Sequence, residues 1–557
     1  MNTITGKAVV GAIARGTLVY YHKSEFEVTK RRVVDTELEL KRFMQAREAS
    51  EEELQELYDE ALERLGEENA QILIIHQMLM SDAQFERCII SHISEDSYNA
   101  EYAVKRAALE LVRMLSANGS DYVKERTADI RDVSDRLIRH LLNVPSKDIK
   151  LEDNAIICAE ELMPSEALMF DRKKLAGLCM AAGAVNSHAS ILAKSMNIPC
   201  IVCMGEKICE ELDGKEAVVD GYEGVLYVEP DEMTIRLAEE RVKSEQRKLE
   251  ILSRLIGKAT ETADGRSVRI YANVYNLAEV ENAAANDAEG IGIFRSESLY
   301  IAERVFPNEE LLFYNYRRVL EDMKGREVTL LTYDMSAENT EEILDLKKEP
   351  NPAMGYRSIR VCLEQQDLFR TQIRAMLRAS VYGKMSILLP MIIDVGEFRY
   401  ARSIINDEKE KLREEGKAFS EDIKIGAMIE TPAAVITSDI LAKEADFFSI
   451  GTNDLEQFTL ALDKNNSKYD RIRPENSTAI LRMIRMVCEN AHKNGIPVVL
   501  CGELASDFSL TEVFLDMNVD VFSVAPPRVL PLRRVIRSMD LSDEDRAKNV
   551  VSQLLEI

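Results

Sequence analysis

No apolar run in the 557 residues approaches the roughly 20 that a membrane helix needs. Arg15 also interrupts the weakly apolar start before a signal-peptide core can form, so the expectation is a cytoplasmic protein without membrane insertion. The nine cysteines lack the regular spacing of a disulfide framework, which makes reduced thiols the default. Cys200 and Cys203 form one C-x-x-C, but its middle is apolar, it falls in a run expected to be a buried strand, and no second pair or suitably spaced histidine completes a zinc site. Positive charge is short as well: 71 Lys and Arg against 97 Asp and Glu leave a formal charge of −26. Such a chain repels nucleic acid and anionic membranes, and accommodates a basic or neutral protein partner more easily. Internal repeats and low-complexity tracts are missing too.

What is present divides into four regions. Glu37 to about Leu142 reads as almost continuous helix, with Leu, Met and Ile recurring three or four apart among charged residues and no proline before Pro145. Strand-like runs flank it: Ala8–Ile13 and Thr17–Tyr21 before, then Ala155–Ala159, Leu175–Met180, Ile198–Cys203, Ala217–Asp220 and Val225–Val228 after. That order predicts an α/β domain (residues 1–30 and 143–229) carrying a helical insertion (31–142). A charged, heptad-like stretch follows as a connector helix (230–262), ended by the turn at Asp264 and Gly265. From 263 to 557 a βα rhythm sets in, with apolar runs at Val268–Asn273, Gly290–Phe294, Val328–Thr332, Ser386–Pro390, Ile425–Ile429, Phe447–Ile450, Pro497–Leu500 and Val521–Val524. Eight such runs over about 290 residues predict a (β/α)8 barrel, whose active sites form at the C-terminal ends of the strands.

Several of these runs end in residues suited to phosphate and carbonyl chemistry. Glu430 and Asp454 are carboxylates without obvious neutralising arginines nearby in sequence, a pair suited to holding Mg²⁺ or Mn²⁺. Arg295 can grip a phosphate or carboxylate in bidentate fashion. Cys501, mostly protonated at neutral pH with an ordinary thiol pKa of about 8.5, can serve as an acid. Taken singly, each has a blander reading as a helix cap, a surface charge or a small buried hydrophobe; their shared rim argues against it. A second centre is His188, where a glycine turn at Gly183 leaves a strand and the spacing of Ala189, Leu192, Ala193 and Met196 starts an amphipathic helix. A phosphoryl group on that imidazole would be favoured by the free N–H groups of the helix start. The other five histidines, His22, His76, His92, His140 and His492, read as structural.

These residues carry a resemblance that covers nearly the whole chain. His76 to Asp82, Glu125 to Asp132, Ser187-His188, Gly292 to Glu297, Asn351-Pro352 with Gly355 to Arg357, Glu430 to Ala434, Phe447 to Asp454 and Cys501 to Ala505 together resemble enzyme I of the phosphoenolpyruvate-dependent sugar phosphotransferase system. The resemblance implies that phosphoenolpyruvate, bound with Mg²⁺ in the barrel, gives its phosphoryl group to His188, which passes it to a histidine of the phosphocarrier HPr or a dedicated homologue. It implies metal ligation by Glu430 and Asp454, substrate binding by Arg295, Arg357, Asn453, Asp454 and Lys464, and protonation of the enolate by Cys501. It further implies that the α/β domain swivels, that the helical insertion docks the carrier and that the barrel makes a homodimer.

Departures from the family pattern cluster at functional positions. Leu331 stands where the family has a phosphate-binding arginine, and Asn339 where it has a lysine. Lys464 replaces an arginine, keeping charge but losing the planar fork. Ala181, Ala184, Val185 and Asn186 alter the surroundings of His188. Two readings follow: a divergent phosphotransferase in which another cation makes good the third-strand loss, or a degenerate paralogue that binds a carrier or phosphorylated ligand and regulates. Intact His188, Glu430, Asp454 and Cys501 favour the first. A dikinase is set aside because the chain has no room for a separate ATP-binding domain.

Overall fold

The computed structural model describes residues 2–22, 26, 28–65, 67–116, 121–145, 151–168, 170–171, 174–183, 187–196, 198–297, 299–300, 306–335, 344, 349, 351–463 and 477–542. Two compact units, Met1–Arg247 and Lys248–Ile557, make up the chain.

The first unit holds an eight-stranded sheet and a set of helices. Strands β1 (Asn2–Thr5), β2 (Lys7–Val10), β3 (Ile13–Tyr21), β4 (Ala155–Ala159), β5 (Leu175–Met180), β6 (Cys200–Val202), β7 (Glu216–Asp220) and β8 (Val225–Val228) lie in the order β1-β8-β7-β3-β4-β5-β6-β2. Its centre, β3 to β6, is parallel and its flanks are antiparallel. All five residues of β4 are buried, because Ala155, Ile157 and Ala159 join one apolar cluster and Ile156 and Cys158 another. That alternation marks a strand covered on both faces. Two details differ from expectation. Ala8–Ile13 is not one strand, since β2 ends at Val10 and β3 starts at Ile13. The C-x-x-C pair is also split, with Cys200 buried in β6 and Cys203 exposed beyond it at φ 57°.

Among the described residues the long helical stretch comprises α1 (Thr36–Leu65), α2 (Glu67–Met80), α3 (Ala83–Ser94), α4 (Ala100–Ser116) and α5 (Asp121–Leu141). Asp82 starts α3 by accepting hydrogen bonds from the N–H groups of Gln84 and Phe85, a cap typically worth about 1 kcal/mol. One turn apart, Phe85, Ile89 and Ile93 then bury a single stripe in a core shared with Phe43, Leu54, Leu73, Val104, Ile130 and Leu137. A short helix α6 (Pro164–Leu168) ties this bundle to the sheet, as Asp132 of α5 accepts from both the N–H and the hydroxyl of Ser165. Helix α7 (His188–Met196) lies between β5 and β6, and α8 (Glu232–Ser253) follows β8; the expected connector is helical only as far as Ser253.

In the second unit, β9 (Arg269–Val274), β10 (Gly290–Phe294), β11 (Glu327–Leu331), β12 (Met385–Leu389), β13 (Lys424–Ile429), β14 (Phe448–Gly451), β15 (Val498–Cys501) and β16 (Val521–Val524) pair in parallel and close, β16 returning to β9. This is the expected (β/α)8 barrel of an α/β chain. Period-two alternation sends Tyr271, Leu331, Leu388, Met428, Val499, Cys501 and Val521 into one interior cluster, while their neighbours Ile270, Leu330, Ile387, Ile429, Val498 and Leu500 join the larger core that also takes in the surrounding helices. The fully buried Arg533 closes the barrel onto the preceding segment, donating to Asp287, Leu255 O and Thr260. Among the described residues no helix is long and apolar enough to cross a membrane.

Candidate active site

At the C-terminal ends of the barrel strands lies a cavity of about 260 Å³, lined among others by Asn273, Arg295, Glu430, Asn453, Asp454 and Cys501. Five of the residues expected at the site therefore converge there; Asn273 is an addition. Each is delivered by a local rule. Glu430 directly follows β13, where Thr431 caps the next helix by accepting from Ala434 N–H and Pro432 occupies its first turn. Asn453 and Asp454 sit in the first turn of helix Thr452–Leu460, where the helix dipole favours an acidic side chain. Cys501 ends β15 beside Gly451, its Cα partner on β14. Gly502 follows at φ 89°, where a Cβ would meet Thr452 Oγ1 at 2.2 Å and Asn453 Oδ1 at 2.9 Å, so only glycine fits.

Asp334 organises the charges, and the sequence reading had not singled it out. Almost fully buried, it accepts from Arg295 Nη1 at 2.9 Å, from Arg357 Nη2 at 3.4 Å and from the Ser358 hydroxyl. Burial works against its charge, but the two guanidinium groups outweigh that and hold its carboxyl below the usual range. Arg357 also lies 3.6 Å from Asp454, so the Glu430–Asp454 pair does have a neutralising arginine, brought from about a hundred residues away in sequence. The signal for Asp334 was the same as for Glu430, an acid just past an apolar strand.

Glu430 is less well served. One oxygen accepts from Met391 N–H at 2.7 Å. Burial, then the charges of Asp334 and Asp454, push its pKa up to about 8 despite that bond and Arg357. Glu297, whose Oε2 is buried with no hydrogen-bond partner among the described residues, is likewise pushed up to about 7, by burial first, with Arg295 opposing and Asp334 adding to it. Four carboxyl groups thus crowd around two guanidinium groups, and a hard divalent ion at Glu430 and Asp454 would relieve the excess. Two non-glycine residues hold left-handed backbone to build this rim, Ser358 at φ 57° and Met391 at φ 53°. Each costs on the order of 1–3 kcal/mol, a strain typical of functional sites.

The Cys501 thiol is buried and donates to Ile450 O at 2.9 Å, with Ser449 Oγ at 3.5 Å. Burial, reinforced by the charges of Glu430 and Asp454, pushes it up to about 12, so it keeps its proton at neutral pH. Leu331 shares the interior cluster with Ile293, Met428 and Cys501, three residues that also line the cavity. The third strand therefore presents an apolar residue beside the cavity lining where a cation was expected by family pattern, and Arg295 and Arg357 are paired with Asp334. His188 begins α7, which Ser187 caps through its hydroxyl to Ser190 N–H at 3.3 Å; the His188 side chain and residues 184–186 lie outside the described residues. So do Lys464 and Asn339.

Comparison with known proteins accounts for this combination. Residues 5–126, 151–224 and 250–541 match the families described as PEP-utilising enzyme, N-terminal; PEP-utilising enzyme, mobile domain; and PEP-utilising enzyme, PEP-binding domain. Proteins named phosphoenolpyruvate-protein phosphotransferase are similar over nearly the full length. That of Geobacillus stearothermophilus is 38% identical, covering 99% of this chain and 96% of its own. For Priestia megaterium the figures are 38%, 97% and 94%, and for Bacillus subtilis 36%, 99% and 97%. With its (β/α)8 barrel and its acid- and arginine-lined cavity, this chain belongs to the phosphoenolpyruvate-protein phosphotransferase family, the enzymes I.

Proposed function

We propose that the protein takes the phosphoryl group of phosphoenolpyruvate in the barrel cavity, places it on His188 and hands it to a histidine of HPr or a dedicated homologue, releasing pyruvate as the first step of a sugar phosphotransferase relay. The observation that carries this reading is the convergence of Arg295, Glu430, Asn453, Asp454 and Cys501 on one cavity. Phosphoryl transfer is mainly positioning and charge stabilisation, and these groups suit it. Glu430 and Asp454 would hold Mg²⁺, which when bound offsets the phosphate's charge. Arg295 and Arg357, fixed by Asp334, would orient the substrate's anionic groups, Asn453 would hydrogen-bond it and Lys464 would add a cation. As the phosphorus–oxygen bond breaks and a phosphorus–nitrogen bond forms on His188, the enolate carbon takes the Cys501 proton to give pyruvate. The thiolate then regains a proton from solvent.

In this reading residues 1–30 and 143–229 carry the phosphohistidine, 31–142 dock the carrier, 230–262 connect, and 263–557 bind substrate and form a homodimer of a cytoplasmic enzyme. Retention of both chemical centres speaks against the regulatory paralogue. Leu331 makes the enzyme slow: losing one preorganised donor typically costs about 10²–10³ in rate. Incubation with Mg²⁺ and labelled phosphoenolpyruvate should leave an acid-labile, base-stable phosphate on wild type and none on His188→Ala. Absence of label at millimolar substrate would overturn the reading.

A further inference from the structure

We propose that Cys88, His92 and Glu110 form a three-ligand site for Zn²⁺ or a similarly thiophilic divalent ion, joining α3 to α4. Nothing in phosphoryl transfer uses these residues. Their Sγ, ring nitrogen and carboxylate oxygen lie within 4.8 Å of one another, and all three residues are half-buried. Cys88 and His92 are one helical turn apart on α3, flanking the buried Phe85–Ile89–Ile93 stripe, and Glu110 faces them from α4.

Two of the separations, each to a different oxygen of the Glu110 carboxylate, are close to those of a tetrahedral zinc site. Cys88 Sγ is 3.4 Å from Glu110 Oε2, and His92 Nε2 is 3.4 Å from Glu110 Oε1. With zinc bonds of about 2.3 Å to sulfur and about 2.0–2.2 Å to nitrogen or oxygen, tetrahedral ligand atoms stand about 3.5 Å apart.

The histidine is prepared for the role. Its Nδ1 lies 2.8 Å from Asp96 Oδ2, and the Tyr98 ring stacks on it with centroids 6.1 Å apart. A carboxylate on Nδ1 places the ring proton there and leaves the Nε2 lone pair outward, the usual support of a metal-bound imidazole. That Nε2 is shielded from solvent and has no hydrogen-bond partner among the described residues, although it faces a carboxylate oxygen. The contact calls for a positive charge between nitrogen and oxygen, which a proton on Nε2 or a metal ion can supply. Arg106 holds the Glu110 carboxylate through Oε1 at 2.9 Å, leaving Oε2 towards the thiol. Ion uptake would replace the thiol proton now shared with Oε2, releasing it to solvent, and a water would complete the fourth position. A thiolate, an imidazole and one carboxylate select zinc over magnesium, so the site differs in kind from the oxygen-lined barrel cavity.

Cobalt(II) added to the chelator-stripped full-length protein tests this, because thiolate ligation produces a sulfur-to-cobalt charge-transfer absorption. One equivalent should produce that band in wild type, with Zn²⁺ bleaching it, and the band should survive in Cys203→Ser, Cys501→Ser and Glu430→Gln but vanish in Cys88→Ser. Asp96→Asn, which removes only the support of the imidazole, should weaken cobalt affinity about 10–100-fold. No band in wild type, a band that persists in Cys88→Ser, or unchanged affinity in Asp96→Asn overturns the assignment.

Discussion

Two clusters of arginine and carboxylate, one in the barrel mouth and one in the helical bundle, use the same groups to opposite effect. In the bundle, Glu53 takes Arg136 at 2.5 Å, His140 at 2.6 Å and Arg139 as well. Burial opposes the Glu53 charge, yet Arg136 and Arg139 dominate and hold its carboxyl below the usual range. In the mouth Asp334 is satisfied in this way, while Glu430 and Glu297 are pushed up to about 8 and about 7. A cluster that closes its own charge balance stabilises the fold. One left with excess negative charge and strained backbone is waiting for a ligand.

The largest test of that contrast is Glu430→Gln. Phosphohistidine formation should fall by on the order of 10³ at saturating Mg²⁺, measured by label incorporation. The metal-free variant should nevertheless melt no lower than wild type. The sign follows from linkage. A carboxyl raised in the folded state favours folding most at low pH, and that advantage is lost as pH climbs from the ordinary value, about 4.3, through about 8. Chelated wild type should therefore lose melting temperature across that window, and Glu430→Gln should flatten the curve; parallel curves would mean Glu430 is not strained.

Leu331→Arg adds a cation to the mouth and should raise the labelling rate by up to about 10². An unchanged or lower rate would show that the apolar layer of Ile293, Leu331 and Met428 gives no access to the phosphate. In the bundle, Arg136→Ala should cost about 1.5–3 kcal/mol by denaturant unfolding while phosphoenolpyruvate binding to the barrel stays unchanged. Because Glu53 is lowered, that bundle contribution is present above the ordinary carboxylate pKa and fades as pH falls below it, the reverse of Glu430. The smallest effect concerns thiols. At pH 8 iodoacetamide should modify exposed Cys203 first and leave buried Cys501, pushed up to about 12, untouched, as peptide mapping would show.

Much of the barrel was legible because buried parallel strands are short apolar runs and their reactive residues come directly after them. Gly290–Phe294 and Val521–Val524 coincide with β10 and β16, and position after a strand was enough to bring Glu430, Asp454 and Cys501 to one cavity. β1 was missed: Asn2–Thr5 has only Ile4 buried, so it shows no apolar run, and it is held by antiparallel pairing to β8 more than two hundred residues later. Glu37–Leu142 read as almost continuous helix because its periodicity continues across the breaks, such as the Asp82 cap that starts α3. His92 read as structural because its partners Cys88, Asp96 and Glu110 mean nothing until α3 lies against α4.

Sequence alone determined the strand and helix periods and the acids and thiol that follow barrel strands, since each is a property of neighbours along the chain; the cation missing at Leu331 showed only through the family resemblance. Tertiary structure alone decided the charge states. Whether a carboxyl is satisfied, like Asp334, or pushed up, like Glu430, depends on burial and on guanidinium groups brought in from distant loops, and Coulomb energies follow distance in space.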